Sequence, residues 1–146
     1  MRNLKIDDSI MIEISSVQSK HNFNRETGGI LVGVYDARQK AVRITDMSFA
    51  YSSDKRNRFY FNRKSKGHQE YIDELWEKSA HTKAYLGEWH THNQDVPMPS
   101  LIDKNSWRRI AKQPNNFDNC YFMIIGRKCT IIWTVENNTV IEIERI

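Results

Sequence analysis

From Cys120 to the end, the chain holds three short runs rich in apolar and β-branched residues, Cys120–Ile125, Cys129–Val135 and Val140–Ile146. Each is too short for a helix of ordinary length, and the first two are separated by little more than Gly126-Arg127-Lys128. Strands joined this tightly must run antiparallel, so the last part of the chain reads as a three-strand meander. Any all-helical fold, and any purely parallel sheet, is excluded by that segment alone.

The upstream part adds helices between groups of strands. Ile10, Ile14 and Val17 follow Asp7-Asp8 at helical spacing, which predicts a capped helix over residues 8–20. Ile30–Tyr35 and Val42–Ala50 read as strands joined by the turn Asp36-Ala37-Arg38-Gln39, with a further short strand at Arg58–Phe61. A helix over 66–80 presents Tyr71, Ile72, Leu75 and Trp76 on one face, Ala84–Thr91 is a strand, and Ser100–Ala111 is a third helix. The expected class is α/β with an α+β-like mixed sheet, a sandwich of sheet and helices rather than a doubly wound parallel fold.

Composition supports a folded core. Of 146 residues, 39% are apolar and 27% charged, and there is no repeat, low-complexity tract or Pro/Gly linker, so residues 1–146 are read as one domain. No apolar run approaches the roughly 20 residues of a membrane helix, and Met1–Asp8 lacks the apolar stretch of a signal peptide. A cytoplasmic protein without a membrane partner is expected. Cys120 and Cys129 would not face each other across their turn, since Cys120 falls opposite a residue near Thr134, and no disulfide is expected. The net charge of +4 is local: Asp54–His68 carries +5 and the rest −1. Arginine and lysine interleave there with Phe59, Tyr60 and Phe61, as a nucleic-acid surface would require. The same pattern describes a strand with a solvated edge, and that reading is preferred to nucleic-acid binding.

The chemistry lies in Gly87-Glu88-Trp89-His90-Thr91-His92 and the residues that follow. Residues two apart on a strand share a face, which sets the Cα atoms of His90 and His92 about 6.6 Å apart with both imidazoles pointing one way. Such a pair can converge on one ion. Asp103 lies eleven residues after His92, beyond a loop holding Pro97 and Pro99, in the first turn of the third helix. If the loop folds back, the carboxylate joins the two histidines. Two His and one Asp leave a fourth tetrahedral position open, the arrangement of catalytic rather than structural zinc. Ser100-x-x-Asp103 is also a capping box, and the two roles are compatible.

His90-Thr91-His92, seven residues, then Ser100-x-x-Asp103 resembles the motif of the JAB/MPN metalloenzymes, the JAMM peptidases, with Glu26-Thr27-Gly28-Gly29 in the place of that family's upstream glutamate. The resemblance runs from about Glu26 to Trp107. The wording Gly87–His92 with Pro97, Pro99-Ser100, Asp103 and Trp107 is most similar to bacterial JAB proteins, including the deconjugating peptidases of CBASS antiphage operons. Asn93 departs from it, standing where those relatives usually have proline, at a position that is not a ligand. The resemblance implies a mixed sheet sandwiched by helices. It also implies a Zn²⁺ ion on His90, His92 and Asp103, Glu26 as general base and then acid, and Ser100 hydrogen-bonded to the developing oxyanion or to the metal-bound water.

Glu88 competes with Glu26 for the base, because alternation puts it on the face of His90 and His92. Trp76, Trp89, Trp107 and Trp133 are read as core, and His21, His68 and His81 as surface residues. The expected function is zinc-dependent peptidase or isopeptidase cleavage at the C-terminus of a ubiquitin-like or nucleotidyltransferase-type protein. The substrate would present an extended C-terminal tail or its conjugate, with ubiquitin-ligase-like operon partners. The alternative is a metal-stabilised interaction module without turnover.

Overall fold

The structure, a computed structural model, describes residues 3–49 and 66–146. The expected strand at Arg58–Phe61 and most of the basic segment lie outside the described residues. In chain order the elements are β1 (Leu4–Ile6), α1 (Asp8–Lys20), β2 (Gly28–Asp36), β3 (Ala41–Met47), α2 (Lys66–Lys78), β4 (Ala84–Thr91), α3 (Leu101–Ala111), β5 (Tyr121–Ile125), β6 (Thr130–Glu136) and β7 (Thr139–Arg145). The strands form one sheet in the order β1-β3-β2-β4-β5-β6-β7. β1–β3 and β4–β5 are parallel and the other neighbours antiparallel. This is the mixed α/β sheet expected from the pattern of hairpins and inserted helices.

Strand alternation sorts the interior into two layers. On one face Ile10, Ile14 and Val17 of α1 pack on Leu31, Leu86, Trp89, Tyr121, Met123 and Ile132. On the other, Trp107 and Ile110 of α3 pack on Phe122, Ile124, Ile131 and Trp133. The Trp107 ring stacks on Phe122 at a centroid separation of 5.0 Å. Truncating a buried residue such as Leu86 to alanine costs about 2–5 kcal/mol in cores of this kind.

Several local expectations change. Asp7 occupies the N-cap position of α1, but its side chain makes no cap bond; its Oδ1 instead pairs with Arg43 Nε at 2.8 Å, tying the helix start to β3. α2 stops at Lys78, because Ala80 and His81 take left-handed backbone conformations and the His81 amide donates back to the Trp76 carbonyl at 2.8 Å. Trp76 is half-buried rather than core, its ring stacked on that of exposed His81. β1, absent from the sequence reading, is a three-residue strand held by parallel pairing of Leu4–Ile6 with Val42–Ile44. Tyr121 pairs with Thr134, and no disulfide joins Cys120 to Cys129. Among the described residues no helix is long and apolar enough to cross a membrane.

Candidate metal centre

The site is built at the C-terminal end of β4, the middle strand of the sheet. Glu88 and His90 are registered against Phe122 and Ile124 of β5, both in the layer under α3, so the His90 imidazole faces that helix. Trp107 is 3% exposed, and its ring centroid lies 6.3 Å from that of His90. Burying Trp107 therefore docks α3 with Asp103, one turn earlier, over the histidines. β4 ends at Thr91, but the His92 amide still donates to the Ile125 carbonyl at 3.1 Å, which carries the strand direction one residue further.

His90 Nε2 and His92 Nε2 are 3.1 Å apart. Asp103 offers Oδ1 to His90 Nε2 at 3.5 Å and Oδ2 to His92 Nε2 at 3.2 Å. The edge of a tetrahedron with bonds of about 2.0–2.1 Å is about 3.3–3.4 Å; the two Nε2 atoms are close to that separation, and each lies at a similar distance from one of the two Asp103 oxygens. His90, His92 and Asp103 are the cluster of potential metal ligands found among the described residues. Two imidazoles and a carboxylate also suit a borderline ion such as Zn²⁺. On this chemistry and spacing the donor set fits a tetrahedral metal ion.

The electrostatics point the same way. Burial works to raise the Asp103 pKa, but hydrogen bonding to His90 and His92, the His90 charge and the Ser100 amide outweigh it and hold the carboxyl well below the usual range. Burial works to lower the His92 pKa. The hydrogen bond and charge of Asp103, the Glu26 charge and the Gln94 hydrogen bond overcome it, and the net direction is upward. Asp103 is thus held as a carboxylate facing the two imidazoles.

Ser100 and Asp103 close a capping box at the start of α3. Ser100 Oγ accepts from the Asp103 amide at 3.0 Å, and Asp103 Oδ2 accepts from the Ser100 amide at 2.8 Å. The cap bonds of Asp103 thus coexist with its contacts to the two histidines. Ser100 Oγ has its accepting side turned to the helix, which leaves its O–H to donate.

Glu26 is half-buried just ahead of β2. Its place is set by Thr27, whose carbonyl accepts from the Thr91 amide at 2.9 Å and whose amide donates to Thr91 Oγ1 at 3.1 Å. Thr91 stands between the two histidines, so this pairing brings the Glu26 charge to bear on His92. Gly28 makes the approach possible: it is registered against His90, and a Cβ there would run into the Trp89 carbonyl and His90 Cβ. Glu88 is 8% exposed on the face of His90. Trp89 points to the opposite layer, where its Nε1 donates to the Ser48 carbonyl at 2.7 Å.

Gln94 was not singled out from the sequence. Its Oε1 accepts from the Met98 amide at 2.9 Å and lies 3.3 Å from His92 Nδ1. An oxygen beside Nδ1 can accept its proton, which would leave the Nε2 lone pair available to a metal ion bound at the site. A glutamine two residues after a candidate ligand histidine has no recognisable motif, and only the folded loop brings it to His92.

The model of prokaryotic homologues of the JAB domain matches residues 9–141. The chain is 35% identical over 119 residues to a CD-NTase/cGAS isopeptidase of Vibrio cholerae, covering 82% of this chain and 73% of that protein. It is 35% identical over 125 residues to a protein of the same name in Escherichia coli, covering 84% and 76%. A protein of Sinorhizobium fredii named "Probable metalloprotease y4qB" is 34% identical over 90 residues, covering 61% of this chain and 54% of that protein. Among solved structures, protein DSY2949 of Desulfitobacterium hafniense superposes with a TM-score of 0.67 at 17% identity, covering 97% of this chain and 90% of that one, a likeness of fold. With a family model spanning nearly all its length and relatives at this identity, the chain belongs to the prokaryotic JAB family.

Proposed function

We propose that the chain is a zinc-dependent isopeptidase, residues 1–146 acting as one unit that hydrolyses a bond at the C-terminus of a ubiquitin-like or nucleotidyltransferase-type protein. The observation that carries this reading is the convergence of His90, His92 and Asp103 within 3.1–3.5 Å of one another. Three protein donors leave a coordination position for chemistry. Zn²⁺ held there would polarise the scissile carbonyl and acidify a water. Glu26 is the group that takes the proton from the attacking water and returns it to the leaving amine. Ser100 donates its O–H to the developing oxyanion.

The names of the Vibrio cholerae and Escherichia coli relatives, CD-NTase/cGAS isopeptidase, support a nucleotidyltransferase-linked bond as the target; a CBASS-like antiphage setting in the cytoplasm belongs to the same proposal. Ubiquitin-ligase-like operon partners would make the conjugate that this enzyme takes apart. Among the described residues both sheet edges, β1 and β7, stand three strands from β4. A substrate tail would therefore be held by the loop after His92, by exposed Met98, Leu101 and Ile102, and by the residues around Glu26.

The test is cleavage of a conjugate between the operon's nucleotidyltransferase and a lysine-bearing protein, read by mass spectrometry. Hydrolysis by the zinc-loaded protein is expected to release the nucleotidyltransferase with its C-terminal carboxylate intact and the partner with a free lysine amine. A zinc-loaded protein that leaves every such conjugate uncut would reduce the chain to a metal-stabilised interaction module.

A further inference from the structure

We propose that Arg127, in the turn between β5 and β6, is a positioning residue of the metal centre, clasping the loop that carries Gln94 and so fixing His92. The inference rests on the metal-site part of the reading above. Arg127 Nε donates to Asp95 Oδ1 at 2.8 Å and Nη1 to Asn93 Oδ1 at 2.5 Å, so one planar guanidinium holds the residues on either side of Gln94. The backbone repeats the grip: the Arg127 amide donates to the Gln94 carbonyl at 2.7 Å and the Lys128 amide to the Asp95 carbonyl at 3.1 Å.

The turn itself is anchored. Gln18 of α1 donates from Nε2 to the Gly126 carbonyl at 3.1 Å, and the Gly126 amide donates to the Cys129 carbonyl at 2.9 Å. A Cβ at Gly126 would meet Pro97 Cδ and the Gln94 carbonyl, so loop and turn lie in direct contact. Asn93 Nδ2 also donates to Asn24 Oδ1 at 3.3 Å, which links the clasp to the segment just before Glu26. Residues 93–95 belong to neither a helix nor a strand, and the side chains of Arg127 and Asp95 remain about half exposed, at 45% and 50%. What the clasp supplies is therefore the position of Gln94 Oε1, which lies 3.3 Å from His92 Nδ1 and would steady the ring with Nε2 toward a bound metal ion.

Groups that orient a ligand histidine typically contribute about 10–100-fold to metal affinity. Arg127→Gln should weaken Zn²⁺ binding by about tenfold or more in a chelator competition. It should also alter the visible d–d absorption of the Co²⁺-substituted protein, while the urea midpoint of the metal-free protein moves little. In the metal-free protein, exchange of the Met98 amide should quicken about tenfold as the loop opens, with β5 unchanged. Asn93→Ala with Asp95→Ala, leaving Arg127 in place, should reproduce both effects. Zn²⁺ affinity within twofold of wild type together with unchanged Met98 exchange would overturn the proposal. A wild-type protein that takes up no Zn²⁺ would instead sink the metal assignment, and Met98 exchange alone would then decide the clasp.

Discussion

Asp103 Oδ2 accepts a 2.8 Å hydrogen bond from the Ser100 amide while Ser100 Oγ accepts a 3.0 Å bond from the Asp103 amide. The same carboxylate oxygen lies 3.2 Å from His92 Nε2. The helix cap thus orients the proposed ligand, and the capping seen for Ser100 and the oxyanion donation proposed for it sit on one hydroxyl. They can be separated by substitution.

Ser100→Ala removes the cap and should cost about 0.5–2 kcal/mol in urea unfolding, whereas Ser100→Gly should cost only a few tenths. Both lose the hydroxyl, so both should lose rate by a similar factor, on the order of 10²–10³ for one oxyanion donor. A glycine variant with wild-type turnover would show that Ser100 serves α3 alone.

Elemental analysis of the purified protein should give about one Zn²⁺ per chain. His90→Ala, His92→Ala and Asp103→Ala should each abolish it, and full zinc in His92→Ala would end the assignment. Chelation should leave the chain folded, because the two apolar layers around Trp89 and Trp107 do not depend on the ion.

The metal-free protein should show a pH signature of the His92–Asp103 pair. The Asp103 pKa is depressed, so its contribution to stability is present above the unfolded value of about 3.9 and is lost as pH falls through the folded pKa. The His92 pKa is raised, so its contribution is complete below the unfolded value of about 6.5 and is lost as pH rises through the folded pKa. In the window from pH 5.5 to pH 8.5 only the His92 contribution changes, so the metal-free protein should become less stable as pH rises, and Asp103→Asn, which removes the partner that raises the His92 pKa, should flatten that slope. Zinc binding should run the other way, weakening as His92 protonates. Chemical denaturation at each pH, with and without zinc, reads both trends.

Much of this fold was legible because its signals are local. The antiparallel meander, the helices beginning at Asp8 and at Ser100-x-x-Asp103, and the strand ending in His90-Thr91-His92 all carry their periodicity or cap in contiguous residues. What escaped is non-local. β1 is too short for a period, and exists through parallel pairing with β3. Gln94 and Arg127 are 33 residues apart and meet only because β5 lies parallel beside β4, so that the β5–β6 turn and the loop after His92 emerge at the same end of the sheet. Glu26 is likewise distant in sequence, and the Thr27–Thr91 pairing brings it to the site.

That pairing frames the choice between the two glutamates. Glu26 is half-buried, precedes β2 and acts on His92 by its charge. Glu88 is 8% exposed within β4, flanked by Ile30 and Phe122 in register, a position for supporting the site rather than exchanging protons with water. Glu26→Gln should keep zinc content and the unfolding midpoint near wild type yet slow conjugate cleavage by a factor on the order of 10²–10⁴, the usual worth of a positioned acid–base group. Glu88→Gln should cost less in rate and more in stability, because it changes the hydrogen bonding of a buried group. Single-turnover cleavage by both variants, each checked for bound zinc, decides between them. A fully active Glu26→Gln beside an inactive, zinc-loaded Glu88→Gln would move the base to β4.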